Sequence, residues 1–377
     1  MQRRIGLKLW HCWFGILVGG WLMLLAVTGV AIAWYDELDI ALNPDLRLTE
    51  ISDHASISLD VVLDNAEAAL PGFSANNIML APANGKTHWL LGRQSLPDGA
   101  SLPMQVFADP ATGTITGWRV SGGLHLDRQH FPDLLYGLHT ELLAGETGAT
   151  FIGIIGLLWL LDHLLAVPLA FPKLQKWPAA FQLAGKKGSL RRLFDWHRAM
   201  GMWLWLATFT ITLTGVTLAF PNASRDLIRQ VSPVSERLHE SMPEAEIDEV
   251  TVGLNDAIAR AGPGQVHSVR ILPSVGQYAV RTYDQRDPDN QGRMWTYVDM
   301  ADGSITGQRH DNGETGGDLF FAWQYPLHSG HAAGLGGRLS VTLVGLATIW
   351  LCISGLRLVW RRRNSRAHVK NATAFPA

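Results

Sequence analysis

The chain has 377 residues, 47% of them hydrophobic and 17% charged, with a formal net charge of −2 and a mean hydropathy of +0.09. This balance lies between that of a water-soluble globule and that of a chain embedded throughout in lipid. Nothing in it favours a nucleic-acid partner, and the two cysteines, Cys12 and Cys352, exclude a disulfide framework.

The average conceals four apolar stretches, roughly residues 9–34, 149–171, 200–220 and 339–360. Each is long enough to cross a bilayer, which takes about twenty residues. Arg3, Arg4 and Lys8 precede the first; Lys173, Lys176, Lys186, Lys187, Arg191 and Arg192 join the second to the third; Arg357, Arg361, Arg362, Arg363, Arg366 and Lys370 follow the fourth. The positive-inside rule makes these three segments cytoplasmic. Residues 36–133 hold thirteen acidic and five basic residues, and residues 221–326 sixteen and nine, which places both blocks on the far side. Arg3-Arg4, the apolar run and Ala31-Ile32-Ala33 imitate a signal peptide. The run is too long for one, and its features recur internally, so a retained span is expected.

Two segments repeat one pattern. Trp10-His11 with Gly15 and Thr28-Gly29-Val30 matches Trp196-His197 with Gly201 and Thr214-Gly215-Val216. On a continuous helix Gly15 and Gly201 share the face of their histidines, and Gly29 and Gly215 follow on it five turns later. A second pair does the same: Leu138-His139-Thr140 with Gly145, Gly148 and Gly156 matches Leu327-His328-Ser329 with Gly334, Gly337 and Gly345. Four matched histidines suggest two histidine-ligated cofactors. Gly334-Leu335-Gly336-Gly337 follows no strand and opens a membrane helix, so close helix or cofactor approach is expected there and not nucleotide binding.

The polar blocks repeat as well. Val106-Phe107-Ala108-Asp109 with Gly113 to Arg119, and Thr296-Tyr297-Val298-Asp299 with Gly303 to Arg309, read as β-hairpins. Each follows a short helix candidate, Leu59 to Leu70 and Val252 to Ala261. The chain is therefore a tandem duplication, with both halves starting in the cytoplasm. Parallel repeats share an axis along the membrane normal. His11 and His197 become mates near the inner face, and His139 and His328 mates near the outer face.

These residues resemble the PepSY-associated transmembrane proteins of bacterial iron acquisition, and within them the inner-membrane ferric-siderophore reductases, among which is a ferrioxamine reductase. Leu9-Trp10-His11 and Asp195-Trp196-His197-Arg198 are similar to motifs at the start of the odd helices. Leu138-His139 with Gly145 and Gly148, and Leu327-His328-Ser329-Gly330, resemble those of the even helices, and Val298-Asp299 to Gly307 a PepSY hairpin. The expected fold is a membrane protein of four transmembrane α-helices with two periplasmic α+β PepSY-like domains. Its boundaries are helix 1 over 1–35, domain 1 over 36–135, helix 2 over 136–172, a cytoplasmic loop over 173–195, helix 3 over 196–220, domain 2 over 221–326, helix 4 over 327–361 and a cytoplasmic tail over 362–377.

The resemblance implies two b-type haems, held through His11 with His197 and His139 with His328. Paired imidazoles fill both axial positions of the iron, so such a haem carries electrons instead of binding oxygen. No C-x-x-C-H motif is present for covalent attachment. His163 lies 24 residues after His139, about 36 Å along a continuous helix, and is an alternative inner ligand, or else a partner of Asp162 or a propionate. Its repeat mate is Cys352. His331, three residues after His328, is a weaker rival. His54, His88, His125, His130, His239, His267 and His310 show no zinc-site spacing and are expected to be isolated and solvent-facing. Arg128 and Arg198 are alternative propionate partners or plain charged helix ends; Trp10, Trp34, Trp196 and Trp360 suit an interfacial belt.

The expected function is outward electron transfer across a bacterial inner membrane, with both termini cytoplasmic, to a periplasmic ferric siderophore, releasing ferrous iron. The donor, a quinol or a reduced cytoplasmic carrier, has no recognisable motif, and no catalytic acid, base or nucleophile is called for. Two alternatives remain open: a non-catalytic PepSY scaffold or sensor that binds periplasmic peptide or chelate, and a quinol-linked dihaem reductase with another periplasmic acceptor.

Overall fold

A computed structural model describes residues 2–52, 56–171, 174–244 and 250–374; His54 and Lys173 lie outside the described residues. The first half begins with helices α1 (Gln2–Leu17) and α2 (Gly19–Ile32), then α3 (Tyr35–Leu42), α4 (Leu59–Ala69) and strands β1 (Phe73–Met79), β2 (His88–Ser95), β3 (Ser101–Ala108) and β4 (Ile115–Val120). It closes with α5 (Phe131–Thr140) and α6 (Gly145–Ala170). The second half repeats this order: α7 (Leu190–Trp203), α8 (Trp205–Ala219), α9 (Pro221–Arg229) and α10 (Leu254–Ala261) precede β5 (Val266–Leu272), β6 (Gln277–Thr282), β7 (Met294–Asp299) and β8 (Ile305–His310). It ends on α11 (Gly316–Ala322), α12 (Gln324–Ser329) and α13 (Gly334–Ala374).

Among the described residues two helices, α6 and α13, are long and apolar enough to cross a membrane, and the number rises to four if each bent pair makes one span. The pairs α1–α2 and α7–α8 bend by 56° and 61°. The continuous first and third helices read from the sequence are therefore broken, and the third begins at Leu190, inside the expected cytoplasmic loop. At the first bend Gly19-Gly20 supplies the local weakness; no glycine or proline stands at Leu204. The second and fourth helices are broken too. Between α5 and α6 the chain turns through left-handed Leu142, Leu143 and Gly145, and between α12 and α13 through Gly330 and Gly334. The distance of about 36 Å from His139 to His163 required one continuous helix and does not apply.

The hairpins form, and the strands of both halves join one antiparallel sheet in the order β4-β3-β2-β1-β5-β6-β7-β8. The joint is Asn77↔Arg270, Ile78↔Val269 and Met79↔Ser268. One face is apolar because alternate residues Ile78, Leu90, Val106, Val269, Val280 and Val298 pack under α4 and α10. These two helices cap each other across the repeat: the Leu254 amide donates to Asp60 at 2.8 Å and the Leu59 amide to Asn255 at 2.8 Å. The opposite face, carrying Trp89, Phe107, Trp295 and Tyr297, meets α3 and α5 in the first half and the segment after α9 in the second. Among the spans, a Cβ added at Gly156 would lie 2.6 Å from Val216, and one at Gly345 2.5 Å from Val30, so small residues let α6 meet α8 and α13 meet α2 closely.

Candidate functional site

His139, near the end of α5, and His328, on α12, face each other on the sheet side of the helices, with ring centroids 6.1 Å apart and planes at 50°. Their surroundings are duplicates. Nδ1 of His139 lies 3.0 Å from the Leu25 carbonyl and 3.1 Å from the Thr28 hydroxyl. Nδ1 of His328 lies 3.1 Å from the Ile211 carbonyl and 3.1 Å from the Thr214 hydroxyl. Both threonines donate their protons back along their own helices, to Leu24 at 2.9 Å and to Thr210 at 2.8 Å. Only acceptors then face each Nδ1, which must carry the ring proton, and the bare Nε2 is left for a ligand. Gly29 and Gly215 make room for the rings: an added Cβ would stand 2.9 Å from Cε1 of His139 and 3.0 Å from that of His328.

The second pair lies on the other arms of the bent helices. His11 on α1 and His197 on α7 have centroids 6.1 Å apart and planes at 59°. Nδ1 of His11 lies 3.0 and 2.9 Å from the two oxygens of Asp162, a buried carboxylate on α6. Nδ1 of His197 lies 2.8 Å from the Ser354 hydroxyl, which donates to the Leu351 carbonyl at 3.1 Å. The ring proton is again fixed on Nδ1. Gly15 has nothing within 4 Å of an added Cβ, and Gly201 only Leu351 at 3.9 Å, so open space adjoins these helix faces. Trp10 Nε1 and Arg198 Nε, each next in sequence to a paired histidine, are buried donors without a partner among the described residues.

The separation is a chemical measure. Two imidazoles sharing one metal need about 2 Å of metal–nitrogen bond on each side and about 1.1 Å from nitrogen to ring centre, which sums to about 6 Å. Both pairs meet this distance, so the residues fit bis-imidazole ligation of a haem iron.

His163 does not join the distal pair. Its Nδ1 lies 2.8 Å from the Trp159 carbonyl and its Nε2 3.0 Å from the Thr208 hydroxyl, so both nitrogens are engaged. Asp162, considered as its partner, turns to His11 instead. His331 opens the turn after Gly330, where it stacks on Tyr325 and meets Ser329 at 2.9 Å. Arg128 reaches the exposed Asp45, and Arg198 pairs with Asp195 at 3.1 Å. The domain histidines are not uniformly isolated. His88 and His310 are buried, the latter 3.0 Å from Asp287, and His239 lies 2.8 Å from the Tyr297 hydroxyl. His125, Asp127 and His130 converge with ligand atoms within 4.8 Å of one another. The roles of Asp162 and Ser354 were not read from the sequence, and only the rarity of a membrane carboxylate marked the first.

Residues 9–363 match the family described as the PepSY-associated TM region, a stretch that takes in all four paired histidines and both halves of the sheet. The chain belongs to this family. It is accordingly a membrane protein, and the apolar α6 and α13 agree with that. No curated protein matches the chain. In this PepSY-associated TM protein the duplication extends to the hydrogen bonds: Thr28 serves His139 as Thr214 serves His328. The equivalence fails at the distal pair, where a carboxylate serves one ring and a hydroxyl the other.

Proposed function

We propose that the protein is a dihaem reductase of a bacterial inner membrane, with both termini cytoplasmic and the sheet in the periplasm, which delivers electrons to a ferric siderophore. The observation that carries this reading is the recurrence of one arrangement: two histidine pairs, each with centroids 6.1 Å apart and each with Nδ1 engaged. Haem b, if held by His11 with His197 and by His139 with His328, would supply one-electron carriers.

The work of the chain is placement. Leu25, Thr28, Ile211 and Thr214 hold the sheet-side imidazoles in one tautomer and one plane, while Asp162 and Ser354 do so at the distal pair. Trp10 Nε1 and Arg198 Nε are donors suited to propionates at the distal site. Ferric iron in hard oxygen donors is bound far more tightly than ferrous iron, so a single electron loosens the chelate without breaking the organic ligand. The donor is a quinol or a reduced cytoplasmic carrier.

The test is anaerobic. Dithionite-reduced protein is mixed with a panel of ferric siderophores in the presence of a soluble ferrous trap. Reoxidation with ferrous iron trapped and siderophore recovered intact is expected, and its loss in His139→Ala and His328→Ala. Wild-type reoxidation rates in both variants would overturn the route through the sheet-side pair.

A further inference from the structure

The two halves of the sheet differ most on the face opposite α4 and α10. Strand pairing puts Gln105 between Leu91 and Arg119 in the first half, and Trp295 between Arg281 and Arg309 at the same places in the second. One strand further, Met79 lies beside Trp89 and Arg270 beside Ala279. Neutral positions of the first half have thus become arginines.

The first half is sealed. Arg119 is fully buried and donates to Asp39 at 2.8 and 3.1 Å and to Gln105 at 2.8 Å. Arg47 also pairs with Asp39, and Asp133 lies 3.6 Å from Arg119. Burial alone would raise the Asp39 carboxyl, but Arg119 and Arg47 hold it below its ordinary value. With Asp36, two guanidiniums meet three carboxylates.

The second half lacks that seal. Asp39 stands as far beyond Thr28 as Arg225 does beyond Thr214, so the buried acid has become a further cation. A cavity of about 170 Å³ opens there, lined by Arg225, Arg237, Arg293 and Arg309 with Asp311 and Asp318. Next to it, the guanidiniums of Arg237, Arg270 and Arg281 lie 4.9, 5.8 and 4.9 Å from the centre of the single Trp295 ring. Arg281 donates only to the carbonyls of Gly292 and Gln291, both at 2.9 Å, and Arg270 has no ion pair among the described residues. Among the described residues the ion pairs of these six guanidiniums take in four carboxylates, Glu240, Asp289, Asp311 and Asp318, and Asp287 also acts on Arg293. Burial pulls the Arg281 guanidinium down to about 10, with Arg237, Arg293 and Arg270 adding to the fall and Asp311 opposing it. Among the described residues the guanidiniums of this face outnumber its carboxylates and lie close to low-dielectric protein.

We propose that this face, from Arg270 and Arg281 over Trp295 to the cavity beside Arg225, binds the carboxylates of an anionic ferric chelate, an α-hydroxycarboxylate complex such as ferric citrate. Planar guanidinium forks match carboxylates in bidentate geometry, and the indole they stack on holds them in place. The cavity also lies beside the sheet-side pair: Gln324 is one helical turn before His328, and Thr217 nearly one turn after Thr214. The Gln324 side-chain oxygen is buried there without a donor among the described residues. The inference rests on the reductase reading for its iron, and the anion site itself is independent of it.

The test is binding without electron transfer. Full-length protein in detergent is titrated calorimetrically with gallium(III) citrate, a redox-inert counterpart of ferric citrate. Saturable binding that weakens as salt rises is expected, with Arg270→Gln and Arg281→Gln each weakening it about ten- to hundredfold. Arg270→Lys and Arg281→Lys, which keep the charge and the fold, should lose less. Arg93→Gln, at an exposed arginine bonded to Ser101, should bind as wild type does. Absent binding, or equal binding by wild type and the glutamine variants, would overturn the proposal. So would glutamine variants that shift the haem spectrum while gallium citrate binding stays intact, since the carboxylates would then be haem propionates. Gallium citrate binding at these arginines, together with a reduced protein that ferric citrate cannot reoxidise, would uphold the site and remove the reductase reading.

Discussion

His139 and His328 stand with ring centroids 6.1 Å apart, the separation also found between His11 and His197. The two members of each pair come from opposite halves of the chain, so each site exists only when the repeats have docked. Gly29 and Gly215 hold the sheet-side pair to this distance by yielding space to the rings. Gly29→Ala or Gly215→Ala puts a methyl group about 3 Å from an imidazole carbon and should displace that ring. Absorption and low-spin resonance spectra should show the sheet-side haem lost or altered in either variant and the distal haem retained. Unchanged spectra in both would mean that the rings do not sit where the ligand needs them.

His163 is expected to be dispensable for ligation, because Trp159 and Thr208 already occupy its two nitrogens. His163→Leu should keep about two haems per chain by pyridine haemochrome, with some loss of thermal stability from the lost bonds to the Trp159 carbonyl and the Thr208 hydroxyl. A variant that loses one haem would restore His163 as a ligand.

Asp162 distinguishes the distal pair from its sheet-side counterpart. A carboxylate accepting the His11 ring proton makes that imidazole a stronger donor to iron than one bonded to a carbonyl, and stronger donation favours the ferric state. Asp162→Asn should therefore raise the potential of one haem by an amount on the order of tens of millivolts and leave the other in place. Redox titration resolves the two components; an unshifted pair would assign Asp162 a packing role alone.

Much of this arrangement was legible in the sequence because duplication exposes it. The Trp-His and Leu-His motifs, the Thr-Gly-Val motif and the hairpin each occur twice, and a feature repeated in register is hard to produce by chance. The bends were not legible: apolar residues fill both arms of α7–α8, and no proline or glycine stands at Leu204 to announce a break. Those bends are why Thr28 and Gly29, in line with His11 by sequence, serve His139 instead. Nor does strand alternation reveal which edges pair, so the union of β1 with β5 could not be read from it. The arginines around Trp295 are scattered over strands β5, β6 and β8 and the segment before β5, and only the ladder brings them together.

The sheet should be acid-sensitive through His88. This side chain accepts the Ala81 amide at Nδ1, 2.9 Å away, in a buried position, and burial depresses it from the ordinary 6.5 to about 4, with Asp109 offsetting part of the fall. The unfolded chain therefore takes up the proton first as pH drops. Stability is full above about pH 6.5, declines between there and about pH 4 by about 3 kcal/mol, and changes no further from this source below that. Melting in detergent at pH 7.5 and pH 5 should show a smaller acid shift in His88→Gln than in wild type. An equal shift would move the acid response elsewhere.

The most direct test of the central claim is haem stoichiometry in protein purified from haem-replete cells. Pyridine haemochrome analysis should give about two b-type haems per polypeptide. His139→Ala and His328→Ala should remove one and the same haem, and His11→Ala and His197→Ala the other. Correctly folded protein with no haem, or single alanine variants that all retain both haems, would contradict the account.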